Sequence, residues 1–404
     1  MAMFALDSGD TAWVLTSAAL VLFMTPGLAF FYGGMVRSKN VLGMLMQNVF
    51  AMGLVSTIWA IVGFSLVFGD SGNGWIGNFD FLFLADVKDL DGDIPGMALV
   101  AFQMMFAVIT PALITGATAD RLKFGSYAVL IGFWSLLVYI PAAKWVFNGW
   151  LLDMGALDFA GGTAIHINAG VAALAVVIVI GNRRGHGTVA MPPHNLPLTM
   201  LGTGILWFGW IGFNAGSGLA ADGVAAQALV NTHLAAAAGM LGWLLVERLK
   251  SGHATTLGAA SGAVAGLVAI TPCAGFVGGP APLIIGAAAG VLCFLALGIK
   301  EKMDWDDSLD VIAVHLIGGI VGTLLLGFFA DTAINGEFDG LFYGGGLELL
   351  KDQFVAALVV GVFSFVVTFA LAKIIDGTMG LRVDEDAELQ GLDQSQHAES
   401  AYSS

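Results

Sequence analysis

The chain has 404 residues, 57% of them hydrophobic and 11% charged, against about 25% charged in an ordinary soluble domain. A mean hydropathy of +0.86 excludes most soluble classes, and a formal net charge of −15 argues against a nucleic-acid partner, which calls for a basic surface. The two cysteines, Cys273 and Cys293, sit in apolar runs and imply neither a disulfide framework nor a cysteine metal site.

Apolar stretches long enough to cross a bilayer, about 20 residues each, repeat along the whole chain. Eleven are predicted: 12–33, 41–68, 96–119, 125–147, 162–181, 198–218, 227–247, 256–273, 282–299, 310–330 and 348–375. The first is read as a span and not as a cleavable signal peptide. The residues before it carry Asp7 and Asp10 with no basic side chain, and the run continues into Pro26-Gly27 and Phe31-Tyr32.

Basic residues set the orientation. Arg37 and Lys39 follow the first span, Arg121 and Lys123 the third, Arg183 and Arg184 the fifth, Arg248 and Lys250 the seventh, Lys300 and Lys302 the ninth, and Lys373 and Arg382 the last. Lys88, Lys144 and Lys351 fall on the other side. The positive-inside rule then predicts an external N-terminus and an internal C-terminus. The segment 70–93 is rich in aspartate. It reads either as a solvated loop or as an acidic mouth that concentrates cations. The polar segment from Asp376 to Ser404 cannot bury a core by itself. It is a disordered end or a regulatory segment docked on the cytoplasmic loops. Two domains are therefore expected, a transmembrane domain over 1–375 and a cytoplasmic tail over 376–404.

Gly258, Gly262 and Gly266, and then Gly286 and Gly290, recur at four-residue spacing. Such faces let helices approach closely in lipid. They indicate a compact bundle, with subunit contacts as a second use. Spans 1–5 and 6–10 form two sets of five, and an odd number per set inverts the second set relative to the first. The expected fold is thus an all-α membrane protein with an inverted 5+5 repeat plus a final helix. Ala164-Ile165-His166 and Ala313-Val314-His315 stand in the fifth span of each set.

Ionisable groups inside a membrane are costly and are read first as functional. His166 and His315 are the foremost candidates, because their placement is what the symmetry requires. A neutral imidazole donates at one nitrogen and accepts at the other, so a pair could line an apolar pore without fixed charge. The competing reading for each is a satisfied structural histidine. His233, on a span with no matching partner, reads as structural. Asp158 and Asp310 precede the two histidines by eight and five residues, and Asp158 also reads as an N-cap for the fifth span. There is no HExxH zinc motif, no Walker loop and no G-x-S-x-G elbow. Neither an enzyme nor a cofactor or metal site is expected.

Three aromatic segments have polar company: Phe102–Phe106 with Gln103, Trp145–Trp150 with Asn148, and Phe208–Ser217 with Asn214. Aromatic faces beside a hydroxyl suit a small cation, although packing explains such segments equally well. Gly155–Thr163 followed by His166-Ile167-Asn168 resembles the signature of the ammonium transporter (Amt/Mep/Rh) family. Pro193–Pro197, Gly212–Ser217, Gly380–Val383 and Gly391–Asp393 resemble further stretches of it, so the similarity covers nearly the whole chain.

The resemblance implies a homotrimer in the cell membrane with one pore per subunit, for ammonium or ammonia, methylammonium being left open. It implies that His166 and His315 are the paired pore histidines. Phe106 and Phe213 match the stacked gate, Ser217 the outer recruitment hydroxyl, Trp210 an aromatic beside the histidines, and Asp158 the buried aspartate near the mouth. Where bacterial members usually carry tryptophan in the recruitment site, this chain has Phe147, the weaker cation–π partner; Trp145 or Trp150 are the available substitutes. A PII-type signalling protein is the implied cytoplasmic partner. The function so implied is ammonium transport by deprotonation and conduction of ammonia. The rivals are a passive ammonia or gas channel and a membrane-embedded ammonium sensor signalling through the tail.

Overall fold

In a computed structural model the chain is described over residues 6–336 and 338–402. Among the described residues ten helices are long and apolar enough to cross a membrane: α1 Ser8–Met35, α2 Ser38–Phe68, α3 Gly96–Ile114, α4 Phe124–Met154, α5 Gly162–Ile180, α6 Leu196–Gly218, α7 Gly223–Ser251, α9 Ala281–Lys302, α10 Ile312–Phe329 and α11 Glu348–Met379. Between α7 and α9 stands α8, Thr256–Ile270, apolar but only 15 residues long. At about 1.5 Å per residue it is shorter than a hydrocarbon core, so the expected eighth span is present as a helix that does not reach full length. The third span also stops early, at Ile114. Residues 115–123 turn irregularly, with Asp120 in the left-handed region at φ 72°.

Leucine, valine and phenylalanine side chains stand exposed along the helix shafts, among them Leu241, Leu249, Phe354 and Val366. An apolar surface this extensive is stable only against lipid or another subunit. The chain is a multi-pass membrane protein.

Small residues set the packing. α1 runs along α6 at backbone contact: a Cβ on Gly202 would lie 2.2 Å from the Phe31 amide nitrogen. The glycine stripe of α8 and α9 is used within the chain. A Cβ on Gly266 or Gly286 would meet the Ala235 carbonyl at 2.1 or 2.2 Å, and one on Gly290 the Gly239 carbonyl at 2.1 Å. These faces are thus closed by α7 and are not free for a neighbouring subunit.

The connections gather at two ends. At one end Asp7 donates its amide to the Asp93 carbonyl at 2.7 Å, and Asp10 accepts from the Ala221 amide at 2.7 Å. At the other end, the basic loops and the tail form one network. Arg183 grips Asp306 through Nε at 2.9 Å and Nη2 at 2.8 Å, and Asp120 accepts from Arg37 at 2.8 Å. Burial alone would raise the Asp306 carboxyl, but Arg183 and Arg121 outweigh it and hold that group well below the usual carboxylate range. Arg121 is fully buried, and desolvation brings its guanidinium down to about 10.

The tail carries two short helices, α12 Glu385–Gln390 and α13 Leu392–His397. It packs on these loops as an ordered segment. Glu388, almost wholly buried, accepts from the Arg184 amide at 2.7 Å and from Arg382 Nη2 at 2.6 Å. Asn40 accepts from the Leu392 amide at 2.7 Å, and Asp393 from the Gly43 amide at 2.8 Å. Ser403 and Ser404, the end of the expected regulatory tail, lie outside the described residues.

Candidate functional site

α5 and α10 each begin with a π-helical turn, Gly162–Ile167 and Ile312–Ile317, and each turn carries one of the two histidines. A π turn inserts a residue into the helical ladder, and such turns recur at functional sites. Asp158 holds the first one open. Its Oδ1 accepts from the Gly161 and Gly162 amides at 2.8 and 2.7 Å, and its Oδ2 from the Thr163 and Ala164 amides at 2.8 and 3.2 Å. All four orphan donors of the helix start are satisfied by one carboxylate. In the second half the same task falls to Asp307, which accepts from the Val311 and Ile312 amides at 3.1 and 2.7 Å.

Asp307, and not Asp310, is therefore the counterpart of Asp158, and it stands eight residues before its histidine as Asp158 does. Asp310 adopts a left-handed φ of 63° and pairs with Lys300. Burial pushes the Asp307 carboxyl up to about 6, with the nearby Lys300 charge opposing the rise.

The two imidazoles meet at the centre of the bundle. Their Nδ1 atoms are 3.2 Å apart, and the rings meet edge to edge, with centroids 5.3 Å apart and 22° between planes. Two protonated Nδ1 atoms cannot hydrogen bond to each other. In a neutral pair one Nδ1 donates and the other accepts, so one ring keeps a bare Nε2 and the other an Nε2–H. His166 Nε2 is buried without a partner. The pair faces a narrow cavity of about 10 Å³, close to the least volume that holds one water-sized molecule. Its remaining lining is apolar, with Leu28 and Phe31 from α1, Leu113 from α3 and Val264 from α8. The short α8 thus supplies part of the wall.

Aromatic rings close the cavity on one side. Phe106 and Phe213 stand 4.3 Å apart at 31°, and Phe213 lies 6.1 Å from the His166 ring. Trp210 stacks on His166 at 5.4 Å and donates from Nε1 to Thr271 Oγ1 at 2.9 Å, which fixes the indole. Ser217, half-buried just past Phe213, donates to the Phe213 carbonyl at 2.9 Å. Five of the named residues, Phe106, Phe213, Trp210, His166 and His315, thus stand in continuous ring contact, with Ser217 one helical turn past Phe213.

Phe147 is not part of that ring contact. It is half-buried on α4 and packs against both the main core, which holds Phe106 and Phe213, and the smaller cluster around Trp145. Trp145 donates its Nε1 to the Trp75 carbonyl at 2.8 Å, and Trp75 stacks on Trp150 at 5.1 Å. Both indoles pack on Trp75. His233 is exposed on α7 against Trp207, away from the cavity. Sequence reasoning overlooked Asp307 and Thr271. The repeated eight-residue offset from aspartate to histidine could have found the first. No local signal marks the second.

Comparison with known proteins places the chain in a family. The model of the Ammonium Transporter Family matches residues 12–402. An ammonium transporter of Mycobacterium bovis is 52% identical over 98% of this chain and 90% of its own length, and one of Bacillus subtilis is 47% identical over 98% and 99%. Among solved structures, Candida albicans Mep2 superimposes with a TM-score of 0.89 at 36% identity, covering 94% of this chain and 87% of that one. A protein described as a sensor Amt protein gives a TM-score of 0.90 at 29% identity, over 96% and 98%. On its sequence and its fold together, this chain belongs to the ammonium transporter family.

Proposed function

We propose that the protein is an ammonium transporter that takes ammonium from an outer aromatic site, removes its proton and conducts ammonia through the apolar pore past His166 and His315, the proton crossing separately. The observation that carries this reading is the histidine pair set in an otherwise apolar cavity about one molecule wide. Desolvating a bare cation in such a space costs nominally tens of kcal/mol. Deprotonating it first is far cheaper, because a pKa roughly two units above neutral corresponds to about 3 kcal/mol.

In this reading Phe106 and Phe213 are the gate. Ser217 and the Phe106 ring form the recruitment site, with Phe147 as its outer wall. Trp210 orders the His166 ring, and Asp158 supports the site through its cap. A bare Nε2 accepts from an incoming N–H, and the complementary Nε2–H donates to the ammonia lone pair. We propose further that α8 completes eleven spans, arranged as an inverted 5+5 repeat plus α11. The N-terminus is outside the cell membrane and the tail over 376–404 inside. Three copies form the working assembly, and the tail face receives a PII-type regulator.

Reconstitution in liposomes tests the reading. A saturating current on an ammonium jump supports electrogenic transport. Internal alkalinisation without current points to a passive ammonia channel. Silence in both, with ammonium still altering protease access to the tail, points to a sensor. The sensor reading has one observation in its favour, the likeness to a protein described as a sensor. The 52% and 47% identical relatives are named as transporters, and transport is the better supported.

A further inference from the structure

The loop before each pore helix is clamped by a buried side chain from elsewhere in the fold. In the His315 half, Arg121 donates from Nη2 to the Asp306 carbonyl at 2.6 Å, immediately before Asp307. In the His166 half the clamp is Gln353, on the outer part of α11 and completely buried. Its Oε1 accepts from the Leu157 amide at 2.7 Å, and its Nε2 donates to the Leu157 carbonyl at 2.8 Å and the Thr323 carbonyl at 3.2 Å. Leu157 is the residue immediately before Asp158. Each clamp therefore grips the position nine residues before a histidine.

One amide group thus pairs with both polar groups of a single loop residue, as a neighbouring strand would. A glutamine that merely fastened α11 to the bundle would have little need of this geometry. Ser364 already ties α11 to the Asn168 carbonyl at 2.9 Å, and Thr368 ties it to Trp134 at 2.9 Å. Gln353 reaches the loop itself, and through Thr323 it also fixes that loop to α10. Thr163 Oγ1 lies 3.2 Å from Thr323 Oγ1, so the π turn under His166 is bound to the same point. α11 lies outside the two sets of five helices, so this clamp has no repeat-related copy.

We infer that Gln353 is a positioning residue for the pore: by holding Leu157 it sets Asp158, and through the Asp158 cap it sets the turn that aims His166. The inference rests on the transport reading. Positioning groups remote from the chemistry can carry large rate effects.

The test compares wild type, Gln353→Met and Gln353→Glu in liposomes, with the maximal ammonium current normalised to folded protein. Gln353→Met keeps the volume and loses all three bonds. Its maximal current is expected to fall about tenfold, the equivalent of one net hydrogen bond. The half-saturating ammonium concentration is expected to stay unchanged, because Phe106 and Ser217 are untouched. Gln353→Glu, whose protonated carboxyl can accept from the Leu157 amide and donate to one carbonyl, is expected to recover part of the current. Equal maxima for wild type and Gln353→Met would overturn the inference. So would equal losses in the two variants that track equal falls in unfolding midpoint, the signature of packing alone. If Gln353→Met does not fold, Gln353→Glu carries the test: a current per folded protein below wild type supports the clamp, and equality overturns it. A wild type without current would overturn the transport reading itself, and the inference with it.

Discussion

Asp307 caps the turn that bears His315 from eight residues upstream, accepting the Val311 and Ile312 amides at 3.1 and 2.7 Å. Asp158 has the same offset from His166 and accepts four amides. The two helix starts are thus capped from the same offset, and the imidazoles they carry meet.

Asp158→Ala would strip the acceptor from four backbone donors at once. Losing an ordinary cap costs about 0.5–2 kcal/mol, and a newly orphaned buried donor about 1–3 kcal/mol. A loss of about 2 kcal/mol or more is expected, with Asp158→Asn between the variant and wild type because one oxygen remains. Thermal unfolding in detergent measures the order. Indistinguishable midpoints for all three would show that the cap does not stabilise the turn.

Asp307 gives a pH dependence. Its folded carboxyl titrates at about 6, above the ordinary 3.8. Between those values the folded protein holds a proton that the unfolded chain has released, so stability falls as pH rises from about 4 to about 6. The change is at most about 3 kcal/mol over two units. Relative to Asp307→Asn, which has no proton to lose, wild type should lose stability across this range and then level off. Unfolding midpoints of the pair at several pH values check it, and a difference independent of pH counts against the assignment.

Much of this was legible in the sequence. Hydropathy located the helices to within a few residues at most ends, because lipid demands continuous apolar runs. The histidine pair emerged from its placement in the fifth helix of each set. The Asp307 cap did not, because Asp310 lies nearer to His315 and only backbone geometry shows which carboxylate meets the helix start. The α8 length was missed because its apolar run continues past Ile270 into the residues around Cys273, where the backbone turns. Contacts such as Gln353 to Leu157, 196 residues apart, leave no trace in local pattern.

Trp210 and Thr271 form a testable pair. Their bond of 2.9 Å should contribute about 1 kcal/mol. Trp210→Phe and Thr271→Val are each expected to destabilise, while the double variant loses less than the sum, with a coupling of about 1 kcal/mol in a double-mutant cycle. Strict additivity would mean that the bond does not hold the indole over His166.

The tail hangs on Glu388, which links Arg382, the Arg184 amide and, through its carbonyl, Lys39 at 3.0 Å. Glu388→Ala leaves the Arg382 guanidinium and the Arg184 amide without their carboxylate acceptor, at a cost of about 1–3 kcal/mol to docking. Limited proteolysis is expected to cut the tail faster in the variant while the helical bundle survives intact. Equal cleavage rates would show that other contacts suffice.

The central claim is that ammonium passes the paired histidines as ammonia with its proton crossing separately, so that net charge moves. Charge movement on an ammonium jump in liposomes, recorded for wild type and for His166→Ala/His315→Ala, tests it most directly. A saturating current in wild type that is abolished in the double variant, with the folded protein intact in both, is the predicted result. A current of equal size in the double variant would contradict the account.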